Sequence, residues 1–178
     1  MNIYEEKDVL KTFEVLIDRR EQDTPKALKR YAAFRVPFQR ATLAYGDYTY
    51  TATLPDGTII NDRTKKVFPR CVVERKMDLD ELAQCFTRER ERFLKEFMRA
   101  KANKAKVFLL VENGTFEGVL NHRYKSRYNP AAFLGSITAW LVRFDVSLIF
   151  CKEESSGRLI KELLYRDFKE RLERGEYG

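Results

Sequence analysis

A short apolar run that ends in three charged residues constrains this chain more than any other stretch. Residues 71–76 read Cys-Val-Val-Glu-Arg-Lys, and a charged helical pattern follows. Burying Glu74 and Lys76 at the end of a core strand is costly unless they meet a metal ion, a phosphate or each other. Because side chains two apart in a strand point the same way, these two should share one face, with Arg75 on the other. The stretch therefore predicts a core strand that ends in a charged site.

Composition and charge narrow the class of protein. The 178 residues are 44% hydrophobic and 34% charged, which is typical of one globular domain and not of a disordered chain. A net charge of +7 favours anionic partners, nucleic acid before an anionic membrane. The cysteines, Cys71, Cys85 and Cys151, lack the spacing of a disulfide frame or a zinc site. No signal peptide or membrane-length apolar run is recognisable, so we expect a cytoplasmic protein without membrane association.

Hydrophobic periodicity predicts alternating strands and helices. Runs with the composition of strands lie at 13–17, 39–54, 72–75, 106–112 and 146–151. Segments with helical spacing of apolar residues lie at 24–34, 78–100, 129–143 and from 155 onward. We expect a flexible arm over 1–12, an irregular basic loop over 115–128 and a hairpin insert over about 54–70. The order indicates one α/β domain over 13–178, with a mixed sheet whose helix-joined strands are parallel.

Three of the predicted strands end or bend at an acidic residue. Asp18 follows the first strand, Asp47 interrupts the polar run, and Glu74 ends the central run two residues before Lys76. Mg²⁺ is held by one or two carboxylates together with waters and substrate phosphate. Hydrolysis of a phosphodiester uses such a metal to activate water, and a nearby lysine can orient that water or offset charge. Acids at neighbouring strand ends thus indicate a metal-dependent nuclease site.

Each acid also has a simpler explanation when it is taken alone. Asp47 follows a glycine and could be a turn residue. Glu74 and Lys76 could be an ordinary ion pair at a strand end. Asp78 is better explained as the N-cap of the following helix. Asp80, in the first turn of that helix, could simply interact favourably with the helix dipole. The coincidence of the acids at strand ends is what favours a shared site.

The acids and the lysine also form a recognisable pattern. Gly46-Asp47, then Glu74-Arg75-Lys76 and Asp80, read GD…ERKxxxD, which resembles the signature of the XPF-type (ERCC4-domain) structure-selective endonucleases of the PD-(D/E)xK superfamily. Residues 17–21, Ile-Asp-Arg-Arg-Glu, resemble the first-strand motif of that family, and the similarity extends over about 13–170. The resemblance implies a restriction-endonuclease-like core, an α/β fold with a central mixed sheet flanked by helices.

The resemblance also implies roles for individual residues. Asp18, Asp47 and Glu74 would hold Mg²⁺ or Mn²⁺, with the carbonyl of Arg75 as an extra ligand, and Lys76 would assist the water. The reaction would be hydrolysis of DNA to a 5′-phosphate and a 3′-hydroxyl, by a homodimer, because relatives pair through this domain. Supporting roles or contacts to the DNA backbone would fall to Arg20, Glu21, Asp80 and Arg92.

Basic and aromatic residues outside this site are expected to contact DNA. Phosphate contacts by such cations would make binding depend on salt, and an interleaved tyrosine could stack on bases. A solvated charged surface is the alternative for each of them. The residues are Lys65, Lys66, Arg88, Arg123, Tyr124, Lys125 and Arg127.

The chain departs from the family pattern at several points. The segment between Asp47 and Glu74 is longer than the family's short version, and Glu96 stands where a glutamine is common. The sequence stops at Gly178 without the tandem helix-hairpin-helix region that helps many relatives to bind junctions and to dimerise. The preferred substrate among flap, fork, four-way junction and nicked DNA therefore stays open.

Two other functions compete with a branched-DNA endonuclease acting in repair, recombination or replication. The first is a non-catalytic DNA-binding subunit that kept the nuclease fold, although such a subunit would be expected to lose Asp47, Glu74 and Lys76. The second is a membrane-surface or RNA-processing protein that uses the same charge, for which the sequence has no positive motif.

Overall fold

The computed structural model describes residues 3–177, and the side chains of residues 5–177. Within this part of the chain the strands are β1 (Glu14–Asp18), β2 (Phe38–Leu43), β3 (Tyr48–Thr53), β4 (Ile59–Ile60), β5 (Lys66–Val67), β6 (Cys71–Lys76), β7 (Lys106–Glu112) and β8 (Ser147–Cys151). The helices are α1 (Ile3–Lys11), α2 (Pro25–Ala32), α3 (Leu79–Phe86), α4 (Arg90–Ala102), α5 (Phe116–Leu120), α6 (Pro130–Phe144) and α7 (Glu153–Glu173).

These strands form one mixed sheet in the order β5-β2-β1-β3-β6-β7-β8, with β4 paired to β3. The helix-joined pairs β1–β2, β6–β7 and β7–β8 are parallel, as predicted. Strand β3 runs antiparallel to both of its neighbours, β1 and β6, pairing Tyr48 with Ile17 on one side and with Val73 on the other. The start of β3 therefore lies beside the ends of β1 and β6, and this brings the three predicted acidic strand ends to one edge of the sheet.

Two apolar layers cover the two faces of the sheet. Helices α3, α4 and α6 pack on one face around Phe93 and Trp140, and α2 and α7 pack on the other around Tyr50 and Phe168. Consecutive residues of β6 alternate between them, with Val72 in the first layer and the next residue in the second. Side chains at positions 74 and 76 consequently point towards the α3–α4 face. No helix in the described part of the chain is both long and apolar enough to cross a bilayer.

Three predictions about helical segments are wrong. Residues 3–11 form α1 and not a flexible arm, because Val9 is buried in the layer beneath α7; residues 1 and 2 lie outside the described chain. The predicted helix over 78–100 is two helices, since the chain turns at Thr87, whose hydroxyl donates to the carbonyl oxygen of Ala83 at 2.9 Å. The basic segment predicted to be irregular contains the short helix α5, capped by Thr115.

The insert between β3 and β6 is more than a hairpin extension. Its first strand, β4, pairs antiparallel with β3, but its second, β5, pairs parallel with β2 at Thr42–Lys66 and Leu43–Val67. Val67 is buried with Leu16, Ala41 and Leu43 in a small third cluster. The insert therefore closes one edge of the sheet and fixes the position of Lys66.

Candidate active site

Asp47 lies immediately before β3 and is held against the central strand β6. Gly46 before it has φ +74°, and a Cβ there would lie 2.6 Å from Cβ of Val72, so only glycine fits without displacement. The backbone N–H of Asp47 donates to the carbonyl oxygen of Val73 at 3.0 Å, and its Oδ2 accepts from the N–H of Arg75 at 2.7 Å. The pairing of β3 with β6 ends at Tyr48. Beyond that residue, the hydrogen bonds of Asp47 take the place of strand pairing and anchor its carboxylate to β6 beside Glu74.

Glu74 and Lys76 lie on the same face of β6, as the strand period predicts. Both are buried, at 4% and 7% exposure, and Lys76 Nζ lies 2.6 Å from Glu74 Oε1 and over the ring of Phe93. Burial alone would lower the pKa of Lys76, but the carboxylates of Glu74 and Asp47 raise it above its ordinary value. The lysine is therefore a fixed cation, which can orient water or offset charge but cannot serve as a base.

Arg75 points to the opposite face and makes a separate set of contacts. Its Nη1 donates to Glu112 Oε2 at 3.1 Å, and its Nη2 lies 3.9 Å from Glu21 Oε2. Glu21 also accepts a hydrogen bond from the hydroxyl of Tyr48 at 2.8 Å. These contacts orient the backbone of Arg75, whose N–H holds Asp47.

Asp18 is buried at the end of β1, but the structure commits its carboxylate to other partners. Its Oδ1 accepts from the backbone N–H and the Nε of Arg20 at 2.8 and 2.6 Å, and its Oδ2 accepts from the N–H of Leu43 at 2.9 Å. Within residues 3–177 no group of three or more histidine, cysteine, aspartate or glutamate side chains is placed to hold a metal ion. The predicted set of three carboxylate ligands is therefore not assembled; Asp47 and Glu74 form a pair without Asp18.

Glu96 is a site residue for which the sequence predicted no role. It is buried on α4, and its Oε1 accepts from the N–H of Gly46 at 3.1 Å and lies 3.7 Å from Nη2 of Arg20. Burial, and then the charge of Glu74, raise its pKa. A signal was present in the sequence, because Glu96 stands three residues after Phe93 on the apolar face of a helix, where an acid is unexpected.

The donor atoms of the Asp47–Glu74 pair fit a hard divalent cation. Burial, and next the charge of Glu74, raise the pKa of Asp47 well above its ordinary value, so the negative charge of Asp47 is opposed by desolvation and by repulsion from Glu74. A cation between them would remove that repulsion. Mg²⁺ needs one or two protein carboxylates because waters and substrate phosphate complete its coordination. Asp47 and Glu74 would hold it, with the carbonyl of Arg75 as a further oxygen donor.

Comparison with known proteins decides the family. The family model described as the ERCC4 domain matches residues 17–163. The chain belongs to the ERCC4 domain family. Among solved structures, XPF from Aeropyrum pernix matches with a TM-score of 0.58 and 20% identity, over 86% of this chain and 61% of that chain. A structure of XPF from Aeropyrum pernix in complex with DNA matches with a TM-score of 0.58 and 21% identity, over 88% of this chain and 65% of the other.

The ERCC4 chain thus shares its fold with the XPF structures while spanning less than two thirds of either of them. A search of curated proteins found no match. The predicted family and the predicted α/β fold with a central mixed sheet flanked by helices are confirmed. The chain is a nuclease-fold protein of the ERCC4 family.

Of the four predicted supporting residues of this ERCC4 domain, two lie at the site and two lie away from it. Arg20 and Glu21 lie at the site, joined to Asp18 and to Tyr48 respectively. Asp80 acts at a distance, since its Oδ1 accepts from the backbone N–H groups of Lys125 and Ser126 at 2.8 and 2.7 Å and so anchors the basic loop. Arg92 is exposed and pairs with Glu89, the N-cap residue of its helix.

The residues predicted to contact DNA lie in three places on the surface. Lys65 and Lys66 are exposed on the insert, Arg88 is exposed in the turn between α3 and α4, and Arg123, Lys125 and Arg127 are exposed on the loop that Asp80 anchors. Tyr124 of this loop is half-buried: its ring packs edge-on against Phe133 and its hydroxyl donates to the carbonyl oxygen of Tyr128. The tyrosine therefore shapes the loop that presents the cations.

Proposed function

We propose that this ERCC4 domain is a Mg²⁺- or Mn²⁺-dependent endonuclease that hydrolyses phosphodiester bonds of DNA. The observation that carries the proposal is the Asp47–Glu74 pair, held by the N–H of Arg75 and accompanied by the buried ammonium of Lys76. The DNA-bound form of XPF from Aeropyrum pernix and the net charge of +7 support DNA as the substrate. Branched or forked DNA and a homodimeric assembly belong to the same proposal, on the strength of the family.

The residues of the site divide the work of hydrolysis. A bound divalent cation would supply an activated water and offset charge that develops on the phosphate. Asp47 and Glu74 would hold this cation through their carboxylate oxygens. Lys76 keeps its proton and faces the same side as Glu74, so its ammonium orients the attacking water and stabilises negative charge in the transition state. The expected products are a 5′-phosphate and a 3′-hydroxyl.

A non-catalytic DNA-binding subunit is the second candidate. Such a subunit would also use the basic loop and the exposed insert to bind DNA. Retention of the half-buried Asp47 beside the buried Glu74 and Lys76 favours the enzyme, because a binding subunit does not need a carboxylate pair that is costly to desolvate. The two functions differ in one measurable property, which is cleavage.

Cleavage of a panel of labelled fork, flap, four-way junction and linear DNA in Mg²⁺ or Mn²⁺ tests the proposal. We expect cutting of at least one branched form. Asp47→Ala and Glu74→Ala should abolish cutting while DNA binding persists, and Lys76→Ala should slow cutting about 100-fold, the effect of removing one electrostatic stabiliser.

Glu91→Ala serves as the matched control, because Glu91 is an exposed acid on α4 outside the site. The control should cut at the wild-type rate. Cutting that survives EDTA, or that survives in the Asp47 and Glu74 variants, contradicts the proposal. DNA binding without any cutting would favour the non-catalytic subunit.

A further inference from the structure

An open pocket rich in cations lies beside the Asp47–Glu74 pair and has no part in the mechanism above. Its volume is about 350 Å³, and its lining brings together the end of β1, strand β2, the insert and α4. The cationic side chains in the lining are Arg19, Arg20, Lys66 and Arg99, against the single carboxylate of Asp18. Such an excess of positive charge favours an anion.

The fold holds the side chains of two of these cations and the backbone of a third. The Nε of Arg20 is fixed on Asp18 at 2.6 Å. The Nε of Arg99 donates to the carbonyl oxygen of Ala44 at 3.2 Å, which directs the rest of the guanidinium into the pocket. Lys66 is placed by the pairing of β5 with β2, in register with Thr42.

The remaining donors of the pocket are available for hydrogen bonds to a ligand, and the one ring contact among them is that of Lys66 Nζ, 5.8 Å from the centroid of Phe68 within the described residues. Within residues 5–177 no hydrogen bond or ion pair engages Nζ of Lys66, the guanidinium of Arg19 or the two Nη atoms of Arg99. Both oxygens of Asp18 already accept hydrogen bonds from Arg20 and Leu43, so its charge is directed away from an incoming anion. The pocket therefore offers hydrogen-bond donors to an anion, and the one carboxylate in its lining has its acceptor oxygens already engaged.

The pocket and the metal-binding pair share a wall. The backbone N–H of Asp18 donates to the carbonyl oxygen of Asp47 at 2.8 Å, and Arg20 extends from the pocket towards Glu96 behind Glu74. An anion in the pocket would be a near neighbour of a phosphate at the Asp47–Glu74 pair. Two consecutive phosphates of a single DNA strand are such near neighbours.

We infer that the pocket binds a backbone phosphate of the DNA strand that is cut, close to the phosphate that is hydrolysed, and that the insert serves to supply Lys66 to it. The inference rests on the proposed function for DNA as the ligand. It gives Asp18 a role other than metal binding: the carboxylate positions Arg20 at the pocket wall. Lys66 and Arg99, contributed by segments more than 30 residues apart in sequence, become determinants of how the strand is aligned.

The inference is tested by DNA binding in EDTA, where no strand is cut, using fluorescence anisotropy of a labelled duplex and a labelled fork at several salt concentrations. Lys66→Gln and Arg99→Gln should each weaken binding by about fivefold and reduce the slope of log K against log salt by about 1. Lys29→Gln and Arg158→Gln are matched controls, since both residues are exposed on α2 and α7, across the sheet from α4. The controls should change neither quantity.

A second measurement locates the phosphate. A single uncharged methylphosphonate, moved along one strand, should weaken wild-type binding at one internal position and weaken Lys66→Gln no further there. The same DNA with and without a terminal 5′-phosphate separates an internal phosphate from a strand end.

The possible outcomes are distinct. Variants of Lys66 and Arg99 that bind like the two controls overturn the pocket while leaving the endonuclease proposal intact. An effect confined to DNA with a terminal phosphate overturns the assignment to an internal phosphate. Wild-type protein that binds no DNA overturns the proposed function and this inference with it.

Discussion

The carboxylate of Asp47 connects stability with the proposed metal binding at the scale of one residue. Its pKa is raised because it is buried and because Glu74 lies beside it. A carboxyl group whose folded pKa exceeds its unfolded pKa stabilises the fold below the unfolded value and loses that contribution as the pH rises through the folded value. Without metal, the fold should therefore lose stability as the pH rises above 3.8, the ordinary pKa of this carboxyl.

Asp47→Asn tests this link. The amide removes the charge but keeps an oxygen that can accept from the N–H of Arg75. In the absence of metal, the variant should match wild type at acid pH and melt about 3 °C higher near neutral pH, which corresponds to about 1 kcal/mol in a domain of this size. Added Mg²⁺ should raise the melting temperature of wild type and leave the variant unchanged. Differential scanning fluorimetry across pH measures both effects, and parallel pH curves for the two proteins would contradict the assignment.

Single residues of the site were predictable where their chemistry is local. Glu74 and Lys76 stand two apart in one strand, so the pattern alone placed both on one face, and Asp78 caps α3 through the N–H of Glu81 as its sequence favours. Partners distant in sequence were not predictable. The hydrogen bond of Glu96 to Gly46 spans 50 residues, and that of Asp80 to the basic loop spans 45 or more.

The packing of α2 against α7 sets the geometry at the scale of elements. Gly157 lies at the contact, where an added Cβ would come within 2.3 Å of the carbonyl oxygen of Arg30 and 2.9 Å of Cβ of Ala33. The backbones approach closely enough that Arg30, on α2, also reaches Ser156 on α7 at 3.3 Å. Sequence periodicity predicted both helices, but it carries no information about which surfaces touch.

A pair of glycine substitutions tests the contact. Gly157→Ala should destabilise the protein by about 2 kcal/mol, since a packed backbone must move to make room. Gly135→Ala is the matched control, because Gly135 lies within α6 and an added Cβ would meet nothing within 4 Å. The control should stabilise the protein by up to about 1 kcal/mol through helix propensity. Urea unfolding with an unchanged m-value measures both, and a neutral Gly157→Ala would show that the helices can separate freely.

The break between α3 and α4 shows why boundaries of elements escaped prediction. Apolar residues recur at helical spacing from Leu79 to Ala100, and no glycine or proline interrupts them. Helix α3 packs on β6, β7 and α6, and α4 packs on β7 and α6, so the turn at 87–89 lets two separate helices cover the same face of the sheet. Tertiary contacts therefore override a continuous local pattern.

A network of ion pairs connects the layer of α2 and α7 with the central strand β6. Glu112, at the end of β7 and 1% exposed, binds Nε of Arg30 on α2 and Nη1 of Arg75 on β6, each at 3.1 Å. Arg30 continues the network to the hydroxyl groups of Tyr48 and Ser156, both at 3.3 Å. Glu112 thereby links the layer of α2 and α7 with the strand that carries the site. The sequence showed an acid at a strand end but none of these partners.

Removal of this one carboxylate should affect the whole fold. Glu112→Ala removes the counter-charge of the buried guanidinium of Arg30 and, within the described residues, leaves the half-buried guanidinium of Arg75 with the ion pair to Glu21 alone. Breaking a buried pair in this way costs about 3–5 kcal/mol. Glu112→Gln, which keeps one hydrogen-bond acceptor, should cost less. Glu170→Ala, an exposed acid on α7, should change stability by no more than about 0.5 kcal/mol. Urea unfolding of the three variants gives the comparison. A Glu112→Ala protein as stable as Glu170→Ala would mean that water replaces the carboxylate at no cost, and that the network does not hold the site strand to the helices behind it.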